Sequence, residues 1–406
     1  MKNESPLLKL YQKNGTKTVL ASLISILIGL VFGAILVVVV ACTSEAIPTK
    51  GGWEGVQLVI LGLFSKGRDA IGNLVFGWNA KNFGNMLFRA TPLLMTGLSV
   101  AVANKTGLFN IGASGQYLMG TWASLTVALT LPTNVIPAWI VWILAFLAGM
   151  LAGALWGAIP GILKATRNIN EVLACIMTNW IAANLVTMLF SNSDLRNAEV
   201  GGKIGYIKPT IDNGVATAKL GLDKLTDNSQ INGGILVAIG MAILIYILMN
   251  KTTLGYELKA CGSNRHAARY AGINDKRNIV LSMAIAGALS GGGAALYWLS
   301  GNTEFYWSTY QALPAEGFNG IPVALLAANS PIGVIFSSIF MSLLNINGLQ
   351  LKTLTAYNEF ITDIVIAAIV YLSSFSLIIK MWLTQKKKKE TVQTPAPKAD
   401  DAGKEE

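Results

Sequence analysis

One stretch of the chain decides which kind of fold to expect: residues 107–116 read GLFNIGASGQ. The stretch lies in an otherwise apolar part of the chain, yet it carries Asn110, Ser114, Gln116 and three glycines. An unpaired polar group in hydrocarbon costs on the order of several kcal/mol. These side chains are therefore expected to face something other than lipid.

The composition is that of an integral membrane protein. Hydrophobic residues make up 53% of the 406 residues and charged residues 13%, well below the roughly 25% charged residues of soluble domains. Spans of about 20 residues joined by short loops fit this length as one membrane domain. The expected fold class is all-α, a polytopic membrane protein with about ten transmembrane helices.

Apolar runs bounded by polar residues, glycine or proline define the predicted spans. The run that ends at Cys42 is predicted to be a retained first helix, because it is too long for a signal-peptide core and many spans follow it. Residues 55–78 are predicted to form an interfacial or partly buried outer segment. The runs on either side of Pro331 form either a tight hairpin or a re-entrant pass. The predicted spans are 19–42, 84–104, 108–130, 136–163, 171–190, 233–250, 278–299, 314–329, 332–348 and 360–380.

The charges are distributed as in a multi-pass protein whose positive loops stay inside. The net charge is +10, but the clustering of the cations argues for cytoplasmic loops and against nucleic acid as a partner. With the N-terminus inside, the predicted passes place every cluster, and both termini, in the cytoplasm. The clusters are Lys2 to Lys17, Lys164 with Arg167, residues 251–277, and Lys386 to Lys389.

The predicted domains follow from these spans and charges. Residues 1–18 form a cytoplasmic segment, and residues 19–380 form the transmembrane domain, which contains the cytoplasmic loop 251–277. Residues 381–406 form a disordered basic tail held at the anionic inner leaflet. The outer loop 191–232 mixes charges of both signs and is either a contact for another protein or a solvated connector.

Polar residues at membrane depth predict a solute pathway. On a regular helix, Asn110 and Ser114 share one face, while Gly112, Gln116 and Gly120 lie roughly opposite. One face then meets a close helix neighbour and the other a water-filled path; alternatively, the amides only hold helices together. The candidate pathway residues are Phe109, Asn110, Ser114, Gln116, Asn179, Trp180, Glu316, Phe318 and Asn319.

Glycines in two spans predict close helix packing. Gly149, Gly153, Gly157 and Gly161 recur every fourth residue, which lets a neighbouring backbone approach. Gly291 to Gly293 act either as a hinge or as a second close-packing site.

The inner loop 251–277 is the other informative segment. Gly255, Gly262 and Gly272 are predicted to be breaks around a short helix over 264–270. Such a helix suits docking of a partner, and the alternative is a basic surface loop.

Catalytic constellations are not found in the sequence. His266 is the only histidine, and neither HExxH nor GxxxxGK[ST] occurs. Three cysteines do not make a disulfide framework. If nucleotide drives transport, another subunit must therefore bind it.

Four blocks of the sequence resemble one family. They are TGLFNIGASGQYLMG (106–120), NEVLACIMTNWIA (170–182), GYELKACGSNRHAARYAGI (255–273) and EGFNGIPVALLA (316–327). They resemble permease subunits of bacterial ABC importers of the branched-chain amino acid, ribose and nucleoside group, above all nucleoside permeases that work with basic-membrane-protein lipoproteins. Ser114 departs from the pattern, since many relatives carry glutamate there, so no role of that carboxylate is transferred.

The resemblance implies a fold, a function and partners. The fold has about ten helices in two inverted halves, and the echo of GLFNIGA in GFNGIPVA is compatible with inverted repeats. The protein is then a nucleoside importer permease in the bacterial plasma membrane, partnered by an ATPase subunit that carries ATP and Mg, a second and different permease, and a substrate-binding lipoprotein. No cofactor is expected in this chain. The residues implied to contact the ATPase are Gly255, Glu257, Lys259, Gly262, Asn264, Arg269 and Gly272.

Other functions stay open at this point. A ribose or branched-chain amino acid permease would have the same architecture. A stand-alone secondary transporter or channel would need acidic or histidine relay residues in mid-span, of which the sequence has few. A membrane enzyme lacks any metal or nucleophile constellation in the sequence.

Overall fold

The computed structural model describes residues 14–44, 49–197, 205–307 and 312–357, with short pieces at 363–364, 367–368 and 371–372. Helices make up most of these parts, so the predicted all-α class is confirmed; the described strands form one short β-hairpin, Ser65–Arg68 (β1) and Leu74–Phe76 (β2). The helices are α1 (Asn14–Thr43), α2 (Thr49–Leu61), α3 (Ala80–Lys105), α4 (Ala113–Thr130), α5 (Ala138–Arg167), α6 (Glu171–Ser191), α7 (Leu222–Leu225), α8 (Gly234–Lys251), α9 (Thr253–Ser263), α10 (Arg265–Tyr270), α11 (Asp275–Trp298), α12 (Ala315–Leu326) and α13 (Pro331–Leu354).

Six of the described helices are long and apolar enough to cross a membrane: α3, α5, α6, α8, α11 and α13. They correspond to six of the predicted spans, and α1 covers the predicted span 19–42. The prediction for 360–380 falls almost wholly outside the described residues, as do those for most of the N-terminal segment and for the tail 381–406. Large apolar side chains on α5, α6 and α8 are exposed, as expected of surfaces that face lipid.

The predicted outer segment 55–78 is half helix and half hairpin. Its helix, α2, buries Leu58 and exposes Trp53, and it packs between α1 and α13. Asn347 of α13 accepts the Leu63 amide hydrogen at 2.7 Å and donates to the Val59 carbonyl at 2.8 Å. The segment is therefore partly buried, as predicted.

A glycine seam joins α5 to α11. A Cβ on Gly153 would collide with the carbonyl oxygen of Gly287, and one on Gly291 would collide with that of Gly149. Gly120 of α4 packs on the Gly291 backbone in the same way. Three helices thus meet backbone to backbone, which confirms the close packing predicted for the glycine ladder and, for Gly291, the packing alternative over the hinge.

The predicted span 314–329 is too short to cross the membrane. Helix α12 has 12 residues, about 18 Å of helix against roughly 30 Å of hydrocarbon. Gly320 packs on the backbone of Thr96, and Asn104 donates to Asn329 at 2.9 Å. Residues 96 and 104 are about 12 Å apart along α3, so α12 begins within the depth of the bundle and ends level with the inner end of α3. The re-entrant alternative therefore fits better than two full spans.

The structure describes the outer loop at 191–197 and 205–232, and residues 205–232 form a packed cap. Ile207 and Val215 are fully buried. Trp142 of α5 donates to Thr217 at 3.0 Å, and Tyr206 forms an isolated β-bridge with Tyr306. The solvated-connector alternative is wrong for this part, because its side chains cover the outer ends of α5 and α11.

Candidate functional site

The opening stretch forms a break between two helices. Residues 106–112 are not helical, and α4 begins only at Ala113. Gly107 has a φ of +73°, a left-handed conformation that favours glycine. The predicted sorting of Asn110 and Gln116 onto opposite faces of a regular helix is therefore wrong, because Asn110 precedes the helix.

The break is held by an amide pair. Asn110 donates to the Gln116 side-chain oxygen at 2.8 Å and accepts from the Gln116 amide at 3.1 Å. It also donates to the Ser99 hydroxyl of α3 at 3.0 Å and accepts from the Gly112 backbone at 3.1 Å. Asn110 and Gln116 are at most 1% exposed. These amides satisfy the backbone and one another, so they stabilise a non-helical turn at membrane depth.

Asn179 fastens the same break to α6. Its side-chain oxygen accepts the Gly115 backbone N–H at 2.9 Å, and its amide donates to the Ile111 carbonyl at 3.0 Å. Gly115 has no room for a side chain, since a Cβ there would lie 2.9 Å from the Asn179 Cα. The buried Asn179 side chain therefore supplies hydrogen-bond partners to two backbone groups at the start of α4 that have none within the helix.

Removing the Asn179 side chain is expected to destabilise the protein. Asn179→Ala leaves the Gly115 N–H and the Ile111 carbonyl buried without partners, which lowers the free energy of unfolding by about 2 kcal/mol or more. Thermal unfolding of the purified protein in detergent measures the effect. Asn184→Ala on the same helix is the matched control, because Asn184 is exposed and donates only to the Trp180 carbonyl one turn back. Equal melting temperatures for the two variants would contradict the structural role of Asn179.

Helix α12 meets the start of α4. The Ser114 hydroxyl donates to the Pro314 carbonyl at 3.0 Å, and a Cβ on Gly317 would collide with Ser114. The two segments whose sequences echo one another, GLFNIGA and GFNGIPVA, therefore touch at this point. The hydroxyl of Ser114 acts here as a helix-to-helix hydrogen bond.

The remaining pathway candidates lie outside the buried amide network. Glu316, Phe318 and Asn319 are half-buried on α12, and Phe109 is half-buried in the break. Trp180, the neighbour of Asn179 on α6, is 43% exposed. The structure thus brings Asn110, Gln116 and Asn179 together at the break and joins Ser114 to α12.

Sequence reasoning missed a group around Glu316. Arg89, Tyr117 and Tyr297 all lie within electrostatic reach of this carboxylate, and these four residues are named here the arginine–tyrosine–glutamate cluster. Arg89 is the one charged residue in the predicted span 84–104. A lone charge within an apolar span is a signal that points to function, and it identifies this cluster.

The inner loop 251–277 folds into two short helices. Thr252 caps α9 by accepting the Gly255 N–H at 3.1 Å, and Asn264 caps α10 by accepting the Ala267 N–H at 3.0 Å. The short helix predicted after Asn264 is confirmed. The prediction that Gly255 and Gly262 are breaks is wrong, because both lie within α9; Gly272, with a φ of +80°, does end the pair.

The glycines of α9 allow close packing instead. A Cβ on Gly262 would lie 2.5 Å from the carbonyl carbon of Thr106 and 2.7 Å from the nitrogen of Gly107. A Cβ on Gly255 would lie 2.6 Å from the Met249 Cα at the end of α8. The inner loop is therefore in backbone contact with the first residue of the polar break.

Polar contacts join the pair to α11. Asp275, the first residue of α11, accepts from Arg265 at 2.5 Å and from Arg269 at 2.9 Å. Glu257 of α9 accepts from Asn278 at 3.3 Å. Asp275 is only 5% exposed, so α10 is held against the start of α11 by a mostly buried carboxylate.

The solvent-exposed face of the inner helix pair, α9 and α10, is aromatic and basic. Tyr256 is 70% exposed and Tyr270 is 95% exposed. Residues 251–277 carry six lysines and arginines against two carboxylates. Exposed tyrosines beside cations are the composition of a protein interface.

These features define a class of protein: a multi-pass membrane transport subunit in which an inner helix pair contacts a polar break within the bundle. The chain belongs to the family of the branched-chain amino acid transport system / permease component, which it matches over residues 82–373. The predicted family is thereby confirmed. Permease subunits are not enzymes themselves, and an ABC transporter permease works with an ATPase and a substrate-binding protein.

Three relatives show how far the similarity extends. The chain is 34% identical over 389 residues to the nucleoside ABC transporter permease protein NupB of Lactococcus lactis subsp. cremoris, which covers 96% of this chain and 100% of that protein. It is 34% identical over 370 residues to the guanosine ABC transporter permease protein NupP of Bacillus subtilis, covering 91% and 97%. It is 31% identical over 329 residues to the glucose ABC transporter permease protein TsgB13 of Haloferax volcanii, covering 78% and 82%.

Proposed function

We propose that this chain is the membrane-spanning permease of an ATP-driven importer of nucleosides. The observation that carries the proposal is the backbone contact between Gly262 and Gly107, because it joins the helix pair that faces the cytoplasm to the polar break in the bundle. A partner that moves α9 therefore moves the break. The solute follows from the two relatives that cover more than nine-tenths of the chain, both named for nucleoside or guanosine transport.

The ATPase docks on the inner helix pair in this proposal. Tyr256 and Tyr270 supply the exposed aromatic contacts, and Lys259 adds charge on the same segment. ATP and Mg are bound by the ATPase. Asp275 keeps α10 fixed to α11, so force applied to α10 is transmitted along α11.

A second, different permease completes the membrane part. Arg89 is exposed on α3 although it lies about 14 Å along a membrane-spanning helix, and a charge at such a depth faces a neighbouring chain or a wet path and not lipid. The face that carries Arg89 and Glu316 is therefore proposed to line the solute pathway together with the partner permease. Of the predicted pathway residues, Glu316 lies on this face, while Asn110, Gln116 and Asn179 hold the break behind it.

The orientation in the plasma membrane follows from the charges. The inner helix pair lies in the cytoplasm with both termini, and the cap at 205–232 lies outside, where a substrate-binding lipoprotein delivers the solute. The basic residues of 251–277 support this arrangement, since positive loops are retained inside.

Transport by the reconstituted system tests the function. Vesicles that contain this chain with its second permease, its ATPase and its binding protein are expected to take up labelled inosine only when ATP is present. Unlabelled guanosine should compete, and ribose and leucine should not. Competition by ribose or leucine alone would favour a sugar or amino acid permease. Uptake by the purified chain without the ATPase would favour a secondary transporter.

Loss of the exposed tyrosines is expected to weaken ATPase binding. Tyr270→Ser and Tyr256→Ser remove aromatic contacts of the kind that dominate interfaces, so each should weaken binding roughly tenfold or more. Co-purification of the ATPase with the detergent-solubilised permease measures this. Tyr246→Ser on the apolar face of α8 is the control and should bind normally. ATPase recovery that is the same for all three variants would place the docking surface elsewhere.

A further inference from the structure

The arginine–tyrosine–glutamate cluster brings together four helices. Ser114, one turn before Tyr117 on α4, is bonded to Pro314, two residues before Glu316 on α12. The ring of Tyr297 on α11 stacks on Phe88 of α3 at 5.5 Å between ring centroids, and Arg89 follows Phe88 in the chain. The contacts between these helices therefore place the four side chains on one side of the bundle.

The Tyr117 side chain is almost completely buried yet lacks a partner. It is 1% exposed, and its hydroxyl has no hydrogen-bond partner among the described residues. A buried hydroxyl without a partner costs about 1–3 kcal/mol, and a solute group that bonds to it would remove that cost. Glu316 and Tyr297 both act on this hydroxyl electrostatically, which assigns it to the same cluster.

The cluster has an accessible side and a deep end. Arg89 is exposed, and Tyr297 and Glu316 are half-buried, whereas Tyr117 forms the deep end. A guanidinium offers donors, a carboxylate offers acceptors, and a phenol offers both together with an aromatic face. The positive and negative charge balance one another, which suits an uncharged solute better than an anionic one.

We propose that the cluster of Arg89, Tyr117, Tyr297 and Glu316 is the point at which the permease contacts the nucleoside and discriminates it by its ribose hydroxyls. This inference rests on the proposed function and makes it specific. Glu316 and the Tyr117 hydroxyl bond to the ribose hydroxyls, Tyr297 contacts the base, and Arg89 donates to base oxygens or nitrogens. A nucleotide, with its added negative charge beside Glu316, is disfavoured.

The test compares guanosine with 2′,3′-dideoxyguanosine in vesicles that hold the complete transporter with saturating binding protein. Tyr117→Phe keeps the ring and removes the hydroxyl, and Glu316→Gln removes the charge. Each is expected to lower the maximal uptake of guanosine about tenfold, to reduce the preference for guanosine over the dideoxy analogue, and to leave ATP hydrolysis unchanged. Tyr246→Phe, on α8, is the matched control and should retain both uptake and preference.

The outcomes separate this inference from the proposed function. Wild-type uptake and wild-type preference in both variants would overturn the inference alone. A parallel fall in uptake, ATP hydrolysis and melting temperature, with the preference unchanged, would also overturn it, because that pattern shows a packing role. A wild-type transporter that takes up no nucleoside would instead overturn the proposed function.

Discussion

Replacing Gly287 by alanine is expected to lower the stability of the bundle strongly. The new Cβ collides with the carbonyl oxygen of Gly153, and neither backbone moves without separating α5 from α11. Overpacking of a core, with the backbone shifts that it forces, typically costs about 1–3 kcal/mol and occasionally more; two helices in direct backbone contact put this substitution at the upper end of that range. Thermal unfolding in detergent and the yield of monodisperse protein measure the loss.

Gly240→Ala is the matched control for this substitution. Gly240 lies within α8, and a Cβ there meets nothing within 4 Å. Alanine also favours helix over glycine by about 0.8–1.0 kcal/mol, so this variant should be as stable as the wild type or slightly more so. If the Gly287→Ala and Gly240→Ala variants have the same melting temperature, α5 and α11 are not in close backbone contact at the glycine seam.

Replacing Gly262 by valine is expected to uncouple ATP hydrolysis from transport. The added side chain cannot fit 2.5 Å from the Thr106 carbonyl carbon, so α9 must lift away from Gly107. The ATPase can still bind Tyr256 and Tyr270, which are exposed on the surface of the helix pair. We therefore expect uptake to fall at least about tenfold, a loss of roughly 1.4 kcal/mol of coupling or more, while ATP hydrolysis continues.

Uptake and hydrolysis are measured on the same proteoliposomes. Ser263→Val, one residue on, adds similar bulk at an exposed position and should retain coupling. If both variants transport equally well, the contact between Gly262 and Gly107 does not carry the motion. Loss of hydrolysis together with uptake in Gly262→Val would instead place Gly262 in ATPase docking.

The two glycine contacts have different consequences because they lie in different parts of the molecule. Gly287 lies within the bundle, where α11 packs directly on α5, and its loss affects folding. Gly262 lies at one end of the bundle, where α9 packs on the start of the break, and its loss is expected to affect a movement. Both sites need the space that a side chain would fill. At Gly287 the close contact stabilises the fold, and at Gly262 it transmits the movement of α9 to the break.

The predictable parts of the structure are those that depend on neighbours in the chain. The spans near 84–104, 171–190 and 233–250 follow from apolar runs, since a helix in lipid needs only its own residues to satisfy its backbone. The cap at Asn264 follows from its amide and the residues just after it. The ladder of glycines on α5 predicts close packing without naming the partner helix.

The unpredicted parts depend on residues far apart in the sequence. The break at 106–112 is held by Asn179, which lies 68 residues beyond Ile111 and donates to its carbonyl. Helical periodicity assigns faces on the assumption that the whole stretch is helical, and it contains no information about a partner on another helix. For this reason the faces predicted for Asn110 and Gln116 are wrong. In the same way, the start of α12 is positioned by Ser114, which lies 200 residues before Pro314 in the chain.

Hydropathy, charge and composition act locally, and from them alone the chain is recognisable as a helical membrane protein with a basic loop and a polar interruption. The fold is needed to show that the interruption is a turn, that Gly262 contacts Gly107, and that Arg89, Tyr117, Tyr297 and Glu316 form one cluster. Buried hydrogen bonds and backbone-to-backbone contacts form between helices, and the separation of two residues along the chain does not predict which helices meet.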